Sequence, residues 1–188
     1  MKKRIFLAIN LPDNILGQLK KYQNNWPDLP CRWIKPENLH ITILFLGFVS
    51  DDALLDILKV CKKVANNTVP FNIYFDKIIY GPSDQKIPRM VWLEGNAPKE
   101  LINLKNKLEN ELMKTKTFQY WRPEKRPFKL HITLGRIKGM EFRQMEYPPE
   151  INELVNFNVP VYSFEIMESN LKRSGAEYTK LKSYNFGK

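Results

Sequence analysis

The chain holds two histidines, and each stands two residues before a threonine: His40 with Thr42 in KPENLHITI, and His131 with Thr133 in RPFKLHITL. The two nine-residue phrases lie 91 residues apart, share five identities, and differ by close substitution at Lys35/Arg126 and Ile43/Leu134. With six threonines in 188 residues, a given histidine would find one two places on by chance only about 3% of the time, so coincidence explains the pair poorly. An imidazole ionises near ~6.5, so two of them facing each other can divide the work of proton donor and acceptor near neutrality. In-line displacement at phosphorus uses that division. One ring takes a proton from the attacking water, the other gives one to the departing oxygen, and hydroxyl or cationic groups hold the nonbridging oxygens.

Other chemistries fit less well. A structural zinc site wants four protein ligands and a catalytic one usually three, and two histidines without a nearby CxxC or HExxH do not supply them. No Gly-rich phosphate loop is present, and serine or cysteine nucleophile arrangements have no distinctive signature. A single histidine would be read as a structural residue satisfied by backbone; the duplication reverses that preference.

The elements that must position these residues are legible around them. In a strand, side chains alternate, so His40 and Thr42 share one face while Leu39, Ile41 and Ile43 share the other, and His131 with Thr133 repeats the pattern. Pro36 and Pro127 hold Lys35 and Arg126 extended, which should deliver the chain straight into each strand. The offset is close to half the length. It predicts two similar lobes related by a pseudo-twofold axis, with the two strands side by side and their polar faces lining one cleft.

Elsewhere strands and helices alternate. Arg4–Asn10 reads as a strand, followed by a helix capped by Asp13 with Leu16, Leu19 and Tyr22 inward. Trp33 begins an extended entry to the strand Leu39–Leu46, after which Ser50 caps a helix to about Asn66 with Leu54, Leu58, Cys61 and Ala65 inward. Phe71–Tyr80 and Met90–Leu93 are strands joined by the turn-rich GPSDQKIP, expected to be mobile. Asn96 and Pro98 open a helix striped by Leu101, Leu104, Leu108 and Leu112; His131–Arg136 is the second motif strand. Pro148 and Pro149 mark a loop or short helix, and Phe157–Met167 and Tyr178–Leu181 complete the sheet, with a hairpin turn at Ser174–Gly175. No segment reads as an interdomain linker, so residues 1–188 are expected to form a single domain.

A 43% hydrophobic, 12% aromatic composition is that of a globular chain, and the formal charge of +10 favours phosphate-bearing partners, as would any lysine-rich solvated surface. The apolar run Ile5–Ile9 is shorter than a signal peptide's ~7–15 residues, and no stretch approaches the roughly 18 apolar residues of a membrane span. Cys31 and Cys61 are too far apart in sequence for a CxxC pair. A cytoplasmic protein with reduced thiols, with no membrane association and no obligate protein partner, is expected.

The motifs His40-Ile41-Thr42-Ile43 and His131-Ile132-Thr133-Leu134 resemble those of the 2H phosphoesterase superfamily. The flanking RIFLAINLP, RWIKPENLHITILFLG, RMVWLEG, RPFKLHITLGR and SNLKRSGAEYTKL are similar to its RNA 2′,3′-cyclic phosphodiesterase branch, formerly called 2′-5′ RNA ligase. The resemblance implies a bilobal α+β fold in which duplicated β-α-β units curl antiparallel sheets around a central cleft, with no metal or cofactor. It implies opening of a terminal 2′,3′-cyclic phosphate on RNA ends or nucleotides to a 2′-phosphate, and in reverse the joining of certain RNA ends. On this resemblance His40 is the proton donor and His131 the acceptor, with Thr42 and Thr133 on the phosphoryl oxygens; the residues by themselves do not distinguish the two histidines. Arg136 ends the second strand, where it can add positive charge at the phosphate or remain solvated. Phe45 and Trp33 flank the first motif and are read as core before base-stacking platforms, and KTKTFQYWRPEKR has a composition suited to single-stranded RNA. The alternatives are a phosphodiesterase for 2′-5′ oligonucleotides or small cyclic nucleotides, and a noncatalytic RNA- or nucleotide-binding module.

Overall fold

The computed structural model describes residues 2–82, 87–172 and 175–187. In chain order the elements are β1 (Lys3–Asn10), α1 (Asp13–Gln23), β2 (Cys31–Trp33), a 3-10 turn (Pro36–Asn38), β3 (His40–Val49), α2 (Asp51–Asn66), β4 (Phe71–Gly81), β5 (Met90–Glu94), α3 (Lys99–Met113), β6 (His131–Ile137), α4 (Gly139–Arg143), β7 (Asn152–Val161), β8 (Ser163–Lys172) and β9 (Gly175–Asn185). The strands form two antiparallel sheets, ordered β3-β1-β8-β9 and β2-β6-β5-β4-β7. This is the α+β architecture expected. One apolar core, from Ile5 and Leu7 through Ile41 and Ile43 to Leu101, Leu104, Ile132 and Leu134, joins both sheets to the helices.

The duplication is visible in the registers. β1 and β3 pair with Asn10 opposite His40 and Ala8 opposite Thr42; β5 and β6 pair with Glu94 opposite His131 and Trp92 opposite Thr133. Both motif strands also carry the same irregularity. Leu44 pairs Leu7 and Thr42 pairs Ala8, so Ile43 is an extra residue in β3; Gly135 pairs Val91 and Thr133 pairs Trp92, so Leu134 is extra in β6. These β-bulges sit at matched positions in the two copies, and each reverses which face the following residues present. β3 and β6 belong to different sheets, yet they contact one another between the two.

Buried Gln23 at the end of α1 supports the second bulge. Its Nε2 donates to the carbonyls of Ile34 (2.8 Å) and Leu134 (3.1 Å), and Ile34 N–H donates to the same Leu134 oxygen at 2.8 Å. The extra residue's carbonyl, freed from regular pairing, is thereby satisfied.

Several expectations are corrected. Asp13 is the first residue of α1 and Pro12 occupies the cap position, with no side-chain cap; Ile15, Leu19 and Gln23 are buried while Leu16 and Tyr22 pack at the edge. Ser50 does cap α2, its Oγ accepting from Ala53 N–H at 3.3 Å, but the buried face is Ala53, Ile57, Val60, Cys61, Val64 and Ala65, rotated so that Leu54 and Leu58 lie at its margin. Lys35 is extended as expected, but Pro36–Asn38 make a 3-10 turn before β3 in place of a straight entry. The segment read as one strand over 157–167 is split at Tyr162 between β7 and β8, which lie in different sheets. The short helix precedes Pro148 and Pro149, at Gly139–Arg143. The GPSDQKIP segment and the Ser174–Gly175 turn fall partly outside the described residues; Gly175 begins β9.

Candidate active site

Each motif histidine is half-buried at the first position of its strand, its threonine is half-buried with it, and Ile41, Ile43, Ile132 and Leu134 are buried as alternation requires. Both rings are held in the same way. His40 Nδ1 lies 2.8 Å from the carbonyl oxygen of Asn38, and His131 Nδ1 lies 2.9 Å from that of Lys129, in each case two residues upstream. A carbonyl can only accept, so Nδ1 carries the proton in both rings and the neutral imidazoles present Nε2 as a lone pair. His40 Nε2 takes the Thr42 hydroxyl at 3.1 Å, whereas the Thr133 hydroxyl has a thioether partner, Met90 Sδ, at 3.8 Å.

The surroundings of the rings differ. Phe6 packs on His40 at 5.0 Å between centroids and Tyr178 meets it edge-on at 5.1 Å; Trp92 stacks on His131 at 4.1 Å. Gly81 makes room for that indole, since a Cβ there would run into the Trp92 ring. Burial lowers the pKa of His40 below the imidazole value, opposed by the Asn38 carbonyl and reinforced by the charge of His131. Burial also lowers that of His131, but there the Lys129 carbonyl and the Glu94 carboxylate favour the protonated ring, with the Lys129 ammonium opposing. Glu94 is itself paired with Lys77 at 3.3 Å. The position matching Glu94 in the first copy is Asn10, which is neutral, so one imidazole has a carboxylate neighbour across its strand pair and the other does not.

The paired bulges decide what else reaches the cleft. Plain alternation would turn Phe45 and Arg136 toward the core, each being an odd number of residues from its histidine. The extra residues Ile43 and Leu134 turn them outward instead. Phe45 is 65% exposed, and a recess of about 210 Å³ is lined by His40, Phe6, Phe45, Tyr178, Arg4 and Arg136. The core reading of Phe45 is therefore corrected. Trp33 is a packing residue, lying against Trp26 at 6.3 Å and beside Gly135. In KTKTFQYWRPEKR, Phe118 is buried, Trp121 meets it edge-on and Arg126 pairs with Glu124, so those side chains serve packing and local ion pairing.

Of the expected site residues, His40 and Arg136 line the recess, His131 is near enough for its charge to act on His40, and Thr42 and Thr133 follow their histidines on β3 and β6; the sequence reading missed Glu94, Phe6, Tyr178 and Arg4. Glu94 sits inside RMVWLEG, five residues after Arg89, and only strand register shows that it faces His131. Among the described residues no group of three or more His, Cys, Asp or Glu is placed to hold a metal ion, and no helix is long and apolar enough to cross a membrane.

The family model of LigT-like phosphoesterases matches residues 9–92. An RNA 2′,3′-cyclic phosphodiesterase of Methanothermobacter thermautotrophicus is 33% identical over 93% of this chain and 91% of its own, and one from Archaeoglobus fulgidus is 29% identical over 96% and 99%. A crystal structure from Thermus thermophilus superposes with a TM-score of 0.84 at 27% identity, covering 97% of each chain. Escherichia coli LigT complexed with 3′-AMP superposes with a TM-score of 0.77 at 27% identity, covering 100% of both. With the duplicated motif strands, the two antiparallel sheets and these similarities together, the chain belongs to the LigT-like, two-histidine phosphoesterase family.

Proposed function

We propose that this protein is an RNA 2′,3′-cyclic phosphodiesterase, its two lobes acting as one catalytic unit. Water attacks the cyclic phosphorus and the bond to the ribose 3′-oxygen breaks, leaving a 2′-phosphate. His40 reacts as the imidazolium, with both ring nitrogens protonated, and gives its Nε2 proton to the departing 3′-oxygen, while neutral His131 accepts one from the water at Nε2. Thr42 and Thr133 donate to the nonbridging oxygens, and Arg136, turned outward by its bulge beside the recess of His40, adds positive charge to the field around the phosphate without touching it. The observation that carries this reading is the matched anchoring of the two rings, each fixed through Nδ1 with Nε2 directed away from its carbonyl.

The asymmetry around the rings supports the direction of transfer. A carboxylate beside an imidazole stabilises the imidazolium that forms when it accepts a proton. Glu94 stands in that relation to His131, whereas buried His40, whose cross-strand partner is the neutral Asn10 and which is repelled by His131, parts with a proton readily. The aromatic recess beside His40 suits the terminal nucleobase, since an aromatic face accepts any base. The substrate class and the free thiols, Cys31 half-buried and Cys61 buried, fit a cytoplasmic enzyme. With the 5′-hydroxyl of a second RNA end in place of water, the same attack on the cyclic phosphorus, again with the 3′-oxygen departing, would join the two ends through a 2′-5′ bond.

The test is hydrolysis of a 2′,3′-cyclic nucleotide with EDTA present, with the product identified by phosphorus NMR. A 2′-phosphate is expected, the pH profile should be bell-shaped, and His40→Ala and His131→Ala should each lower kcat by about 10²–10⁴-fold. A 3′-phosphate product would overturn the assigned leaving group. Full activity in either alanine variant would overturn the acid–base pair.

A further inference from the structure

Beside the aromatic recess lies a second and larger cavity, about 760 Å³, that the hydrolytic chemistry does not use. Four arginines line it, Arg32, Arg89, Arg136 and Arg143, over an apolar floor that includes Pro88 and Ile137. They come from four different parts of the chain and are gathered by backbone pairing. Arg32 in β2 is the register partner of Arg136 in β6; Ile137 N–H donates to the Arg89 carbonyl at 2.9 Å; Lys138 N–H donates to the Pro30 carbonyl at 2.8 Å, which folds α4 and Arg143 back over the strand end. All four side chains are exposed. Among the described residues none of the four is ion-paired, while the carboxylate of α4, Glu141, is engaged by Lys138 at 3.1 Å.

Arg136 lines both cavities, so the recess that holds His40 and the arginine cavity meet at that residue. Along β6, Arg136 lies five residues from His131, a span of ~16 Å, which a few nucleotides of single strand cover. A nucleotide whose cyclic phosphate sits between the histidines and whose base enters the aromatic recess has its 5′-phosphate left to place. Guanidinium forks match phosphate oxygens and carry no base preference.

We propose that this four-arginine cavity binds the phosphodiester backbone of the RNA strand immediately 5′ of the cyclic end, making the enzyme selective for polynucleotide ends over mononucleotides. The inference rests on the RNA-end reading above for the orientation of the strand, and its test separates the two. The full chain is given a 2′,3′-cyclic mononucleotide and a short oligoribonucleotide with the same cyclic terminal nucleotide. In parallel, a fluorescent oligomer of the same length with an unreactive 3′-hydroxyl is titrated by anisotropy across a range of salt.

Wild type should favour the cyclic oligomer in kcat/KM. Arg32→Gln and Arg143→Gln should each reduce that value about fivefold at low salt while leaving the mononucleotide within about twofold. Each variant should also flatten the slope of log affinity against log salt by ~0.7, the contribution of one phosphate contact on a single strand. Turnover of the mononucleotide with equal oligomer kinetics and equal salt slopes in wild type and variants overturns the arginine cavity and leaves the enzyme reading standing. Flattened slopes without turnover of either substrate would leave the cavity standing and overturn the enzyme reading.

Discussion

Replacing Thr133 with valine tests the phosphoryl-holding role with little structural disturbance. Valine keeps the β-branched shape and the strand preference, and among the described residues the hydroxyl it removes has a single thioether partner, Met90 Sδ, at 3.8 Å. The folded protein loses almost nothing. Its Tm should therefore move by no more than the ~2–4 °C that corresponds to 1 kcal/mol in a domain of this size. In the transition state the hydroxyl faces an oxygen bearing negative charge, and a hydrogen bond to a charged group contributes about 1.5–3 kcal/mol. Its loss should lower kcat/KM by about 10- to 150-fold. Thr42 differs because its hydroxyl already serves His40 Nε2 at 3.1 Å. Binding substrate exchanges that bond, worth about 0.5–1.5 kcal/mol, for the phosphoryl contact, so Thr42→Val should lose only about 1 kcal/mol net, roughly fivefold. The assay is hydrolysis of a 2′,3′-cyclic nucleotide beside a thermal scan of each variant. A Thr133→Val enzyme within twofold of wild type, or one less impaired than Thr42→Val, would refute the reasoning.

Three further outcomes follow from the geometry. Glu94→Gln removes the negative charge that favours protonated His131, so the ring should lose its proton at lower pH; with two imidazoles in the chain, a proton NMR titration resolves the shift, and an unmoved His131 resonance would contradict the placement of Glu94. Gln23→Met leaves the Leu134 bulge carbonyl without its side-chain donor, which should cost about 1–3 kcal/mol and lower both Tm and activity as Arg136 loses its orientation. Burial pushes the Cys31 thiol up to about 12 and raises Cys61 as well, so a thiol reagent should label neither in the native protein at neutral pH and both after denaturation.

The parts of this molecule that read directly from the residues are those governed by local periodicity. His40 and Thr42 fall on one face and Ile41 and Ile43 on the other because a strand alternates, and Leu101, Leu104, Leu108 and Leu112 are buried because a helix repeats near every fourth residue. What failed was what depends on pairing. Ile43-Leu44 and Leu134-Gly135 are consecutive buried residues that fit a fully buried strand as well as a bulge, so the outward turn of Phe45 and Arg136 had no local mark. The division at Tyr162 assigns two adjacent strands to different sheets, a matter of long-range partners that a run of strand-forming residues does not encode. Glu94 belongs to no motif and gains its meaning only from facing His131 across β5 and β6.

The one-sided carboxylate also bears on what happens between turnovers. If hydrolysis moves a proton off His40 and leaves one on His131, the released enzyme is charged in the wrong place for its next substrate. Both rings are tethered by their Nδ1 atoms, so neither can swing across to hand the proton back. Recharging His40 must then pass through solvent or buffer, and each cycle contains a relaxation in which the emptied site is briefly unable to fire.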